Sequence, residues 1–150
     1  MDDGRHLVLI GMMGVGKSSV GRRVALRLGR QFLDTDRLVE QEAGCTVAEI
    51  FATEGEAAFR ALENAAVRRA LESDPYAVIA FGGGAVLEPA NRGLARELAL
   101  VVWLQAPAGE LARQREQAYR SAAHILVDTS GRSPGQAATA VLIASGWTAE

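Results

Sequence analysis

Lys17 and Ser18 close a glycine-punctuated run, Gly11-Met-Met-Gly-Val-Gly16, that fills the spacing G-x-x-x-x-G-K-[ST]. These residue types suit one task, holding a chain of phosphates. Glycines let the backbone turn so that successive N–H groups face one anion, and a helix starting there adds the positive end of its dipole. Lys17 can reach the outer phosphates, and the Ser18 hydroxyl can ligate Mg²⁺. Lys17 is the only lysine in the chain, against fifteen arginines, so a composition that otherwise avoids lysine keeps one where this loop requires it. The run reads as a nucleotide-phosphate site.

Further candidates lie downstream. Asp34-Thr35-Asp36 sets two carboxylates two residues apart after a short apolar step, Phe32-Leu33. At a strand's C-terminal end they project in one general direction, where parallel α/β sheets bind ligands. Loop aspartates, one of them an N-cap, are the plain alternative; a nearby phosphate loop shifts the balance, because magnesium nucleotide chemistry needs a carboxylate near the metal. Arg60 and Glu63 stand at i, i+3 on a long helical stretch, where a surface ion pair would add about 0.2–0.5 kcal/mol. Gly82-Gly83-Gly84 ends an apolar strand. Three glycines are costly in entropy, and they make sense where a ligand approaches the backbone closely; a flexible turn needs only one. His6 and His124 sit beside strands, far in sequence from acidic partners, and read as structural, with no zinc-type spacing.

The elements that must position these residues alternate regularly. Leu7 to Ile10 predict a buried strand, and Val20, Val24 and Leu28 mark a helical face ending near Gly29. Arg37 to Ala43 predict a short helix stopped by Gly44. Thr46-Val-Ala-Glu49 is a capping-box pattern that starts another toward Thr53. Glu56 to Ser73 predict a long helix and Tyr76 to Phe81 a strand. Pro89 to Glu97 follow as helix and Leu98 to Leu104 as strand. Pro107 to Gln114 and Arg115 to Ala123 predict two helical pieces, Ile125 to Val127 a last strand, and Pro134 to Ser145 a closing helix before a loose tail from Gly146. The β-α-β-α alternation argues for about five parallel strands covered on both faces by helices. One domain, residues 1–150, is expected.

The totals agree with that class. Apolar residues make up 49% and charged residues 23%, with a net charge of −2. The balance gives no reason to expect a nucleic-acid partner, and no apolar run reaches membrane-spanning length. The single cysteine, Cys45, cannot form an internal disulfide, which suits a reducing cytosol. The two leading aspartates are unlike a signal peptide.

Taken together and in this order, GMMGVGKSSVGRR, FLDTD, IFATEGEAAFRALE, FGGGAV, VVWL and REQAYRSAAHILVDT resemble the shikimate kinase family over most of the chain. The resemblance implies a three-layer α/β/α P-loop kinase fold, with ATP and Mg²⁺ as cofactors and shikimate phosphorylated on its 3-hydroxyl. It further implies that Gly14, Val15, Gly16, Lys17, Ser18 and Ser19 hold the phosphates. Ser18 would bind Mg²⁺ directly and Asp34 through water. Asp36 would bind the shikimate hydroxyls and take the proton of the attacking one, and Arg60, oriented by Glu63, would grip the carboxylate. A bidentate guanidinium suits that role. Gly82, Gly83 and Gly84 would line the acceptor with N–H groups, Arg115 would be a second carboxylate arginine, and Arg132 with Pro134 would lie on the adenine side, where Gln114 matches the family's stacking arginine and Arg113 is adjacent to it. A cytoplasmic monomer is expected.

One departure bears on activity. In the family the VVWL-type strand and its helix lead into a mobile lid with an R-P-L-L motif, then another helix, before the R-x-x-x-Y segment. Here Arg115 follows Gln114 at once, so roughly 25 residues have no counterpart, beyond ordinary loop variation. The lid arginine that meets the transferring phosphate is among them. Weak phosphorylation with water leakage is the expectation; a lidless nucleotide- or shikimate-binding module with little turnover is the alternative.

Overall fold

Leu7, Val8, Leu9 and Ile10 are at most 1% exposed, so strand β1 (His6–Ile10) is covered on both faces, as strands of a parallel sheet are. A computed structural model describes residues 4–12, 14–106 and 109–147. After β1 come α1 (Lys17–Leu28), β2 (Gln31–Asp34), α2 (Thr35–Ala43), α3 (Val47–Glu54), α4 (Glu56–Leu71) and β3 (Ala77–Ala80). A 3-10 turn (Ala85–Leu87) precedes α5 (Pro89–Leu98), β4 (Ala99–Gln105), α6 (Glu110–Ala122), β5 (Ile125–Asp128) and α7 (Pro134–Ser145).

The strands form one sheet in the order β2-β3-β1-β4-β5, with every pairing parallel. Strand alternation divides the core. Leu7 and Leu9 pack on one face with Val20 and Val24 of α1, Val141 of α7 and Trp147. Val8 and Ile10 pack on the other with Val67 and Leu71 of α4, Trp103 and Tyr119. The result is the three-layer α/β/α arrangement of P-loop kinases. β1 lies between β3 and β4, where successive crossovers leave in opposite directions, and its C-terminal end is therefore the crevice that receives ligands.

Local signals set the helix ends. Asp34 and Thr46 accept N–H bonds as the N-caps of α2 and α3, and Ser133 with Gln136 forms a full capping box on α7. The two histidines are structural: His6 Nδ1 accepts the Ala77 N–H at 3.0 Å and His124 Nδ1 the Val101 N–H at 2.9 Å.

Two expectations need correction. The predicted pieces 107–114 and 115–123 form one helix, α6, running unbroken through Gln114 and Arg115; positions 107 and 108 lie outside the described residues. A helix break at the junction would need a proline, a glycine or a cap, and 110–122 contains none of the first two. The tail is also not loose at Trp147, which is 3% exposed and packs in the core under the Arg30 guanidinium, 4.9 Å from its ring. Residues 148–150 lie outside the described residues.

Candidate active site

The phosphate loop connects β1 to α1, and its geometry is open only to glycine at its first position. Gly11 has φ +147°, and a Cβ there would fall 2.5 Å from the Leu104 carbonyl oxygen. Gly14 and Gly16 also have positive φ, and the Val15 N–H closes the turn onto the Met12 carbonyl at 3.2 Å. Lys17 begins α1 and is 8% exposed. Its ammonium donates to the carbonyls of Gly11 at 2.7 Å and Met12 at 2.9 Å. Burial lowers its pKa to about 8, against the opposing pull of Asp36 and Asp34. The loop therefore holds a cation whose charge is poorly solvated and would gain from a phosphate.

Ser18 and Asp34 come together across α1 and β2: the hydroxyl donates to Asp34 Oδ2 at 2.7 Å, while Asp34 Oδ1 accepts the Asp36 N–H at 3.0 Å. Asp34 is thus both N-cap and candidate metal group. The two oxygens fit Mg²⁺, a cation held by one or two protein oxygens with water and phosphate. Among the described residues no group of three or more His, Cys, Asp or Glu could hold a metal by itself.

A cavity of about 390 Å³ is lined by Gly14, Gly16, Lys17, Ser18 and Ser19 from the phosphate loop and α1, together with Asp34, Asp36 and Gly83. Asp36, in the first turn of α2, has its pKa raised by burial and then by Asp34, with Lys17 and Arg60 opposing. Behind it, Arg60 Nη1 donates to Glu63 Oε1 at 2.8 Å, a pair that is 28% and 2% exposed at its two side chains. It is no surface ion pair. Burial raises the Glu63 pKa, and the Arg60 bond opposes the rise.

The glycine run is rigid, and its glycines make room for side chains. A Cβ on Gly84 would lie 2.7 Å from both Arg60 Nη atoms, and one on Gly82 would lie 2.6 Å from Asp36 Oδ1 and 2.9 Å from Glu63 Oε2. The expectation of three N–H groups facing an acceptor needs correction at Gly82, whose N–H is donated to Thr35 Oγ1 at 2.9 Å. The Gly83 carbonyl accepts from the Tyr119 hydroxyl at 2.6 Å, and Asn91 Nδ2 holds the Ala85 carbonyl at 3.0 Å. Arg115, on α6, acts electrostatically on Lys17, Glu63 and Tyr119, which puts it at the same centre.

A second cavity, about 560 Å³, adjoins the first at Gly14 and is lined by Met12, Val15, Trp103, Gln105, Arg113, Glu116, Tyr119, Asp128 and Ser130, among others. Arg113, on α6, lines the same cavity as Met12, Gly14 and Val15. Arg132 and Pro134 are not among its lining residues; Asp128 and Ser130 of the same loop are. Sequence reasoning missed Thr35, Tyr119, Asn91 and also Arg22, which lines the smaller cavity with its guanidinium 5.2 Å from the centre of the Phe32 ring. Only Tyr119 had a readable signal, since it lies one helical turn after Arg115 and so shares its face.

In comparisons with known proteins, the family described as shikimate kinase matches residues 13–114 and so stops at Gln114. A shikimate kinase of Symbiobacterium thermophilum is 44% identical, covering 85% of this chain and 88% of that protein. The alignment runs over 155 positions while using 85% of these 150 residues, so roughly 27 positions of the relative stand opposite nothing here, beyond ordinary loop variation. A shikimate kinase of Salinibacter ruber is 50% identical over 71% of this chain, which spans only 52% of that relative. Among solved structures, the Acinetobacter baumannii shikimate kinase in complex with shikimate superposes with a TM-score of 0.84 at 31% identity, covering 92% of this chain and 90% of that one. The Aquifex aeolicus shikimate kinase gives 0.84 at 25% identity, covering 93% and 95%.

Proposed function

The chain belongs to the shikimate kinase family of phosphotransferases, and on that premise we propose that it transfers the γ-phosphoryl group of ATP to the 3-hydroxyl of shikimate, slowly, because the lid is missing. The observation that carries this reading is the shared cavity: a phosphate loop with Lys17, Ser18 and Asp34 opens onto Asp36, behind which lies the Arg60–Glu63 pair. Arg60 and Arg115 hold the acceptor carboxylate, and Asp36 orients the hydroxyl and takes its proton as the new oxygen–phosphorus bond forms and ADP leaves. The raised pKa of Asp36 suits a base. Ser18 directly and Asp34 through water would hold Mg²⁺, which would offset charge on the outer phosphates. Lys17 does the same from the loop.

A lid normally supplies an arginine and excludes water. An arginine of this kind is worth about 10³-fold or more in related phosphotransferases. Here α6 runs straight across the junction, and Arg113 lines the cavity beside the phosphate loop. Phosphorylation is then accompanied by comparable shikimate-independent ATP hydrolysis. The same unbroken helix favours one second reading, a lidless nucleotide- or shikimate-binding module with little turnover.

Thermal unfolding tests the acceptor. Shikimate at about 100 times its Kd adds about 2.7 kcal/mol of stability, a Tm rise of about 5–10 °C for a chain of this size. Arg60→Ala abolishes that rise and leaves the nucleotide effect intact. A shikimate shift that survives Arg60→Ala refutes the assignment.

A further inference from the structure

Tyr119 stands where the two halves of the site meet. It is 1% exposed and lies on α6, its ring stacked on Trp103 with centroids 5.6 Å apart. Its hydroxyl donates to the Gly83 carbonyl at 2.6 Å, and the sulfur of Met12, in the phosphate loop, lies 3.4 Å away. The Arg115 guanidinium, one turn earlier on the helix, opposes the rise that burial causes in the pKa of the same hydroxyl. One phenol therefore touches the acceptor loop and the donor loop, with an acceptor arginine one turn away.

The bond to Gly83 fixes more than one atom. The Gly83–Gly84 peptide is trans and planar, so a carbonyl turned toward Tyr119 turns the Gly84 N–H to the opposite side. Gly84 is the residue that packs against the Arg60 guanidinium, and Gly83 itself lines the phosphate cavity. Thr35 and Asn91 fix the backbone on either side, at Gly82 N–H and the Ala85 carbonyl. Between those two anchors Tyr119 connects the run to the phosphate loop.

We propose that Tyr119 is a positioning residue: its hydroxyl sets the spacing between the acceptor loop at Gly83 and the phosphate loop at Met12, and so decides whether the γ-phosphoryl goes to the acceptor or to water. It acts through Gly83 and Arg115 and touches no reacting atom. The proposal rests on the phosphotransferase reading above. Its physical basis is that transfer depends steeply on the approach of two bound reactants, while hydrolysis uses water that needs no acceptor loop.

The test is the partition ratio, phosphorylated shikimate formed per ADP released, in the full chain with Mg·ATP and saturating shikimate. The ratio is independent of the fraction of molecules folded, so a variant that merely lost stability leaves it unchanged. Tyr119→Phe keeps the stacked ring and removes the hydroxyl; the ratio is expected to fall about tenfold. An unchanged ratio in Tyr119→Phe overturns the proposal alone. A wild-type chain that forms no phosphorylated shikimate overturns the functional reading, and the proposal with it.

Discussion

Nucleotide affinity is predicted to fall as pH rises through the folded-state pKa of Lys17. The lysine is 8% exposed, and burial takes its pKa from 10.5 to about 8. That depression corresponds to about 3 kcal/mol of lost preference for the charged form. Phosphates restore the preference, so the complex holds its proton to much higher pH. In the free chain Lys17 is about nine-tenths charged at pH 7 and about one-tenth at pH 9, so affinity for Mg·ADP drops roughly tenfold between them. Calorimetry in buffers of different ionisation enthalpy reads the same event as uptake of about 0.9 proton per nucleotide at pH 9. Stability without nucleotide moves oppositely: the unfolded lysine keeps its proton to 10.5 and the folded one to about 8, so the chain gains stability as pH rises across that window. Lys17→Arg, always charged, flattens the affinity profile. Affinity constant from pH 7 to 9.5 with no proton uptake refutes the reasoning.

Gly84→Ala puts a methyl 2.7 Å from the Arg60 guanidinium, and shikimate protection against thermal unfolding is expected to fall sharply while Mg·ADP protection persists; equal protection by both would mean Arg60 does not meet the acid. Trp147→Ala removes a core ring and is expected to cost about 3 kcal/mol or more in denaturant unfolding; a cost under about 1 kcal/mol would mean the tail is loose after all. The His6 pKa is lowered, by burial first and by Arg30 second, so its contribution to stability is full above pH 6.5 and is lost as pH falls below it. Urea midpoints at pH 7 and pH 5 should show that loss, and His6→Leu should shrink it; an unchanged slope would remove His6 from the acid response.

The fold was legible because its signals are local and repeated. Apolar strands, the glycine-lysine loop and the capping residue Thr46 each act within a few residues. Helix α6 is one helix, not two pieces, because residues 110–122 carry no proline, glycine or other helix stop at Gln114. Trp147 looked loose because Gly146 ends α7, and only tertiary packing brings the ring back to the core. The glycine run pointed to close approach, but sequence could not say by what: Arg60, Asp36 and Glu63 crowd its Cα positions, and Thr35 takes the Gly82 N–H. Tyr119 escaped notice because its partners, Gly83 and Met12, lie 36 and 107 residues away.

The most direct measurement of the central claim follows ADP and phosphorylated shikimate together, from Mg·ATP, with and without shikimate. The structure sets the cavity lined by Lys17, Ser18, Asp34 and Asp36 in a chain whose α6 runs unbroken through Gln114 and Arg115. The predicted result is slow formation of phosphorylated shikimate alongside ADP release of similar rate when shikimate is withheld. Fast transfer with negligible ADP release in its absence would contradict the account of the missing lid, and ADP release with no phosphorylated shikimate would contradict the kinase assignment itself.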